Sequence, residues 1–198
     1  PSILTPFFCC IVSSSSPSLD GCANLCREAV MLSSPEDLFA YLDELGIVHE
    51  TVWHEALFTV EDGRELKASM PGAHTKNLFM KDKDGVIVLI SALAHNQLKL
   101  NQLHKVLGTR RLSFARPDMM KEDLGVTPGS VTCFAMVNDT DHRARFILDA
   151  ALEAYDDVFF HPLSNTCTTL VRLADFKRFI VETGHDLTVI DFHELDKG

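Results

Sequence analysis

From Met31 onward the apolar positions change period several times, and each change marks an element. Ser34 followed by Pro35 predicts a capped helix start. Leu38, Phe39, Leu42 and Leu45 then form a helical stripe that Gly46 ends. Ile47–Trp53 reads as a strand and Thr59–Leu66 as the start of a short helix. Leu78–Lys81 and Val86–Ser91 flank "DKDG", which predicts a hairpin. Asn96–Leu107, with Leu98, Leu100, Leu103 and Leu107, reads as a helix. A short strand over Arg111–Phe114, a helix over Pro117–Leu124 and a turn at "VTPGS" follow. The near-continuous apolar run Val131–Asn138 reads as a strand. Beyond it the pattern predicts strands at Phe146–Asp149, Val158–His161 and Thr168–Leu173, with a helical turn at Ala150–Ala154. A helix over Ala174–Gly184 and a strand over Val189–Phe192 close the chain. Strands outnumber helices, so the expected class is α/β (α+β), a mixed, curved β-sheet surrounded by helices.

Residues 1–30 do not share this patterning. They carry the low-complexity "SSSSPS" and a single basic residue, Arg27. The apolar stretch Ile3–Val12 lacks the charged flank of a signal peptide. The expected organisation is a leader over 1–30, either disordered, transit-like or a start-site artefact, and one domain over 31–198. A body of this length buries enough apolar surface to fold without a disulfide or metal.

Composition narrows the function classes. The net charge of −10 argues against non-specific coating of nucleic acid, so DNA is not an expected partner. The charge is uneven, however. Lys76–Lys121 holds nine Lys/Arg against three Asp/Glu, while 1–75 and 122–198 carry −8 each. That basic middle suits either a local polyanion contact or a solvated stripe. No apolar run approaches the roughly 20 residues of a membrane helix. Cys133 and Cys167 are the only cysteines of the body, without a CxxC spacing, which fits a reducing, cytoplasmic setting and no structural zinc. The nine histidines include no helical i, i+4 pair, so neither a metal nor another cofactor is expected.

No nucleophile elbow, metalloprotease motif, P-loop or dinucleotide fingerprint is present. Three clusters remain, each with a bland alternative. His74–Asn77 offers a compact cation, Lys76, beside a donor–acceptor amide, Asn77, or is simply a polar strand edge. "TPGSVTCF" (Thr127–Phe134) has a Pro-Gly turn whose amides can hold a carbonyl oxygen or carboxylate, or is an ordinary tight turn. "FFHPLSNTCTTL" (Phe159–Leu170) gathers His161, Ser164, Asn165, Thr166, Thr168 and Thr169, suited to a small neutral or zwitterionic ligand or to turn capping.

In this order, with "HEALFTVEDG" (His54–Gly63) and "MPGAHTKNLFMKD" (Met70–Asp82), these clusters resemble the YbaK-type aminoacyl-tRNA editing domain. Within it they are most similar to free-standing prolyl-tRNA editing proteins. The likeness spans roughly 35–195, and "HTKNLF" is the most specific string. The resemblance implies hydrolysis of the ester joining alanine to tRNA(Pro), with the tRNA(Pro) acceptor end as partner and prolyl-tRNA synthetase as a further one. It implies catalytic roles for Lys76, Gly129 and His161. Lys76 would meet the terminal phosphate or the ester, Gly129 would open a loop whose amides face the aminoacyl carbonyl, and His161 would shape the pocket. Asn77, Ser130, Val131, Thr132, Asn165, Thr166 and Thr168 would bind substrate. Two departures stand out: Cys133 replaces the proline usual at the loop end, and Ala56 a proline in the first motif. An editor of cysteine or serine, and a non-catalytic tRNA- or synthetase-binding module, remain as alternatives.

Overall fold

The computed structural model describes residues 31–56, 70 and 72–192. The expected leader over 1–30 and the expected helix at Thr59–Leu66 lie outside the described residues, as do most of "HEALFTVEDG" and the chain's last six residues. Helix α1 (Pro35–Glu44) opens on a reciprocal cap: Asp37 N–H donates to Ser34 Oγ at 3.1 Å and Ser34 N–H to the Asp37 carboxylate at 3.2 Å. It buries Leu38 and Leu42.

The strands are β1 (His49–Trp53), β2 (Ala73–Lys81), β3 (Ile87–Leu93), β4 (Ser113–Phe114), β5 (Ala144–Asp149), β6 (Asp157–Phe160), β7 (Cys167–Arg172) and β8 (Leu187–Ile190). They form one mixed sheet in the order β1-β7-β6-β2-β3-β5-β8, with β4 on β2. The β2–β6, β3–β5 and β5–β8 pairs are parallel; the other pairs are antiparallel. Asp82 closes the β2–β3 hairpin by accepting from the N–H groups of Asp84 and Val86, each at 2.9 Å. The remaining helices are α2 (Leu103–Leu107), α3 (Pro117–Leu124) and α4 (Leu173–Glu182). On one face of the sheet Phe79, Leu89, Phe146 and Phe160 pack against α1, α4 and a 3-10 segment, Cys133–Asn138. There Phe134 meets Phe160, Phe176 and Phe179 edge-on, with centroids 5.2–6.0 Å apart. On the other face Met80, Val88, Ile90 and Ile147 pack against Leu103 and Leu107 of α2. Among the described residues no helix is long and apolar enough to cross a membrane.

The fold class is the expected one, and three local expectations are corrected. β2 begins at Ala73, five residues before the apolar stretch that announced it, because its first residues pair with β6. The helix expected over Asn96–Leu107 is confined to Leu103–Leu107. Leu98 and Leu100 are two residues apart, a spacing that no helix face provides, and they sit in turns. The strand expected over Val131–Asn138 is the 3-10 segment, which Thr132 caps by accepting from Phe134 N–H at 3.3 Å. A short, wholly buried apolar run has the same pattern in either state.

Candidate functional site

Strand β2 is the branch point of the sheet. Its other long edge is paired along its length with β3, but on this edge β6 reaches only Ala73 and His74 and β4 only Met80 and Lys81. Between them Ala115 N–H reaches Phe79 O and the Thr75 hydroxyl donates to Phe159 O at 2.7 Å, leaving, among the described residues, a fork with no strand partner on this edge at 76–78. Lys76 and Asn77 lie in that fork.

Alternation along a strand sends these two side chains to opposite faces. Lys76 shares its face with His74, which stacks on Phe159 at a centroid distance of 4.6 Å, and with Met80. Its ammonium donates to the main-chain oxygen of Asn96. The Asn96 amide in turn donates to Asp149 at 2.9 Å, and the buried Asp149 carboxylate also accepts from Leu93 N–H at 3.3 Å and Ala151 N–H at 3.0 Å. Burial lowers the Lys76 pKa below the ordinary lysine value, and the Asp149 charge opposes that shift. The result is a half-buried cation whose protonation responds to its surroundings.

Asn77 turns to the other face. Because Ala94 N–H bonds His74 O, the register makes Asn77 and Ser91 a non-hydrogen-bonded pair, whose side chains approach closely. Both Asn77 Oδ1 and Ser91 Oγ are buried and lack a hydrogen-bond partner. Such a pair of unsatisfied atoms is costly to the fold. Cys133 lies against Ser91, and burial holds its thiol well above the ordinary cysteine value. The Cys167 thiol is likewise pushed up, to about 11, by burial. Neither sulfur is a thiolate nucleophile at neutral pH.

The loop before Cys133 stands on the Asn77 side. Gly129 has φ +91°, a conformation that a side chain would strain, at the exposed tip of the turn. Ser130 is buried and its N–H is taken by Thr127 O at 3.0 Å, so the run of unpaired amides is shorter than the sequence suggests. The N–H groups of Val131 and Thr132 have no partner among the described residues.

The third cluster assembles around the end of β6. The last β2–β6 pair is His74 with Phe159, β6 ends at Phe160, and His161 follows directly. Pro162 follows and offers no N–H to prolong the ladder. His161 Nδ1 donates to Cys167 O at 3.0 Å. Leu163, at φ +62°, bends the segment back. Thr166 pairs its hydroxyl with Ser164 at 2.8 Å, and Asn165, half-buried beside it, is also engaged. Thr168 meets His54 Nε2 at 2.9 Å. Since His54 Nδ1 donates to the Glu55 carbonyl at 2.7 Å, the neutral ring accepts from Thr168. The two imidazoles, His54 and His161, face each other edge-on at 6.4 Å.

The structure places Lys76 on one face of the fork and gathers His161, Thr166 and Thr168 at the end of β6. It sets Asn77 with Ser91, Thr132 and Cys133 on the other face of the fork, and the unpaired edge of β2 borders both faces. His54, Asn96 and Asp149 were missed from sequence. His54 opens the string "HEALFTVEDG"; Asn96 and Asp149 reach Lys76 only through non-local contacts.

The aminoacyl-tRNA editing domain family matches residues 54–179. The prolyl-tRNA synthetase associated domain-containing protein 1 of Xenopus laevis is 40% identical over 162 residues, covering 79% of this chain and 96% of that one. The prolyl-tRNA editing protein ProX of Acetoanaerobium sticklandii is 26% identical over 161 residues, covering 81% and 98%. A solved structure described as a candidate trans-editing enzyme for prolyl-tRNA synthetase superposes with a TM-score of 0.61 at 21% identity, over 81% of this chain and 97% of that one, a likeness of fold.

Proposed function

The chain belongs to the aminoacyl-tRNA editing domain family, and we propose that it is a trans-acting hydrolase that removes alanine from misacylated tRNA(Pro) by attack of water on the aminoacyl ester. A synthetase site built for proline rejects the smaller alanine weakly, since a missing methylene is worth only about 1–3 kcal/mol. A second site that admits the smaller residue and excludes proline restores accuracy. The observation that carries this reading is Lys76, a half-buried cation in the fork of β2 between β6 and β4.

In this reading Lys76 meets the terminal phosphate or the ester. The amides of Val131 and Thr132, presented by the turn at Gly129 and Ser130, receive the oxygen that becomes negative as water adds. Asn77 positions the ester from the other face. His161, Asn165, Thr166 and Thr168 wall the aminoacyl group, with His54 holding Thr168 and His161 in place. In this reading neither buried thiol attacks the ester, water does, and positioning supplies the rate. The setting is the cytoplasm, with prolyl-tRNA synthetase as the source of the misacylated substrate.

The test is release of labelled alanine from Ala-tRNA(Pro) by the full chain and by Lys76→Ala. Loss of a charged group that stabilises the reacting centre should slow release by about 100-fold or more. Equal rates for both proteins, at the level of spontaneous hydrolysis, would discard the hydrolase in favour of a tRNA- or synthetase-binding module. Parallel Cys-, Ser- and Pro-tRNA substrates decide which residue is removed.

A further inference from the structure

Strand β4 flanks the fork opposite His161, and it carries a feature that the hydrolytic reading does not use. Its segment reads Arg110-Arg111-Leu112-Ser113-Phe114-Ala115-Arg116, three guanidinium groups and no carboxylate. Phe114 is 57% exposed, although Leu112 and Ala115 beside it are buried. A large aromatic ring left in water among cations is unusual.

Register fixes where that ring stands. Phe114 pairs with Met80 across the antiparallel β2–β4 ladder, so it projects from the same face as Met80 and Lys76. Met80 lies four strand steps from Lys76, about 13 Å at the usual rise. That span matches about four stacked nucleotides at 3.4 Å each. The surrounding charge is positive. Arg111 is exposed and pairs with no carboxylate among the described residues. Lys83 is exposed at the hairpin tip, while Lys81, paired with Ser113, projects from the opposite face. Arg110 is engaged by Asp84 at 3.2 Å and Arg116 by Asp118 at 3.1 Å, both on the surface, where such pairs are weak and exchange readily.

We propose that Phe114, with Arg111 and Arg116, forms a platform for single-stranded RNA: Phe114 stacks an unpaired base of the acceptor 3′ end while the cations hold its phosphates. Sequence-tolerant recognition of single strands combines these two elements, an aromatic face and a positive track. The platform rests on the reading of the fork as an aminoacyl-ester site, since it delivers the strand whose end reaches Lys76. The other exposed aromatic of the sheet, Trp53 on β1, is flanked by Glu50 and Glu55, which would repel a phosphate chain.

The experiment uses the full chain and two RNA minihelices of one stem sequence, one with a four-nucleotide unpaired 3′ end and one blunt. Binding is read by fluorescence anisotropy without any aminoacyl group. The wild type should prefer the overhang. Phe114→Ala should lose about tenfold of affinity for the overhang and little for the blunt duplex, and Phe114→Tyr should keep it. Arg111→Ala should weaken both and lower the salt dependence by about one unit of slope. An unchanged preference in Phe114→Ala, or an equal loss on both RNAs, overturns the platform. The two readings fail separately. Overhang binding through Phe114 without ester hydrolysis keeps the platform and discards the hydrolase. Hydrolysis with KM unchanged in Phe114→Ala does the reverse.

Discussion

β2 and β3 lie side by side in the same sheet and share an antiparallel ladder, yet they are built for different ends. All seven residues of β3 are buried, for it has a strand on each side and a core on each face. β2 is half-buried over the five residues His74–Leu78, and at 76–78, among the described residues, β6 has left and β4 has not yet joined. A strand paired on both edges commits its main-chain groups to the sheet. A strand with one open edge offers side chains and main-chain groups to a ligand, and β3 behind it fixes their position. The difference places chemistry on the open strand and rigidity on its neighbour.

The sharpest way to break this division is to damage β3. Leu89 is fully buried, so Leu89→Ala should cost about 2–5 kcal/mol and lower Tm by about 5–15 °C. Thermal unfolding followed by circular dichroism measures it. Lys76→Ala, on the open strand, should leave Tm nearly unchanged while abolishing ester release. If Lys76→Ala unfolds the protein as Leu89→Ala does, β2 is as structural as β3 and the comparison collapses.

The contrast between the strands also explains what the sequence disclosed. α3 and the 3-10 turn at Ala150–Ala154 were legible to the residue, because a proline at the first helical position and a glycine after the last, or an apolar strand end followed by small residues, are local signals. The β2–β3 hairpin was legible from "DKDG" for the same reason. The fork was not, since it depends on where β6 and β4 meet β2, pairings between residues more than 30 positions apart. The polar run at His161–Thr168 announced itself locally, and its members do lie together. The support of Lys76 did not: Asn96 looked like part of a leucine-rich helix, and its tie to Asp149 spans 53 positions. The apolar stretch after Thr132 was misread because a buried strand and a buried 3-10 segment have the same composition.

A smaller effect tests the one polar residue of β3. Ser91 is fully buried with no partner for its hydroxyl, opposite the equally unpartnered Asn77 amide oxygen. Removing an unsatisfied hydroxyl relieves its desolvation cost, so Ser91→Ala should raise stability by up to about 1 kcal/mol. If the Asn77–Ser91 pair faces substrate, the same variant should slow deacylation severalfold, a gain in stability set against a loss in activity. Chemical denaturation and the alanine-release assay read the two effects. Destabilisation by more than about 1 kcal/mol would show that the hydroxyl is bonded in the folded protein and that β3 is polar for structural reasons alone.

The smallest expected effect concerns the charge that reaches Lys76 from β5. Burial lowers the Lys76 pKa, and Asp149 raises it in opposition. A cation with a depressed pKa is fully charged below that value and loses its proton as pH rises through it. If the ammonium does the work proposed for it, deacylation, corrected for spontaneous ester hydrolysis, should fall on an alkaline limb that is absent from Lys76→Ala. Asp149→Asn keeps an oxygen that can accept from Leu93 or Asn96 but removes the negative charge. The opposing influence is then gone, so the limb should move to lower pH, with activity below it largely retained. A pH profile of kcat/KM for the two proteins makes the comparison. A limb that stays in place, or moves upward, would mean that the titrating group is not Lys76. The open edge of β2 would then owe its chemistry to Asn77 and the turn at Gly129 rather than to its cation.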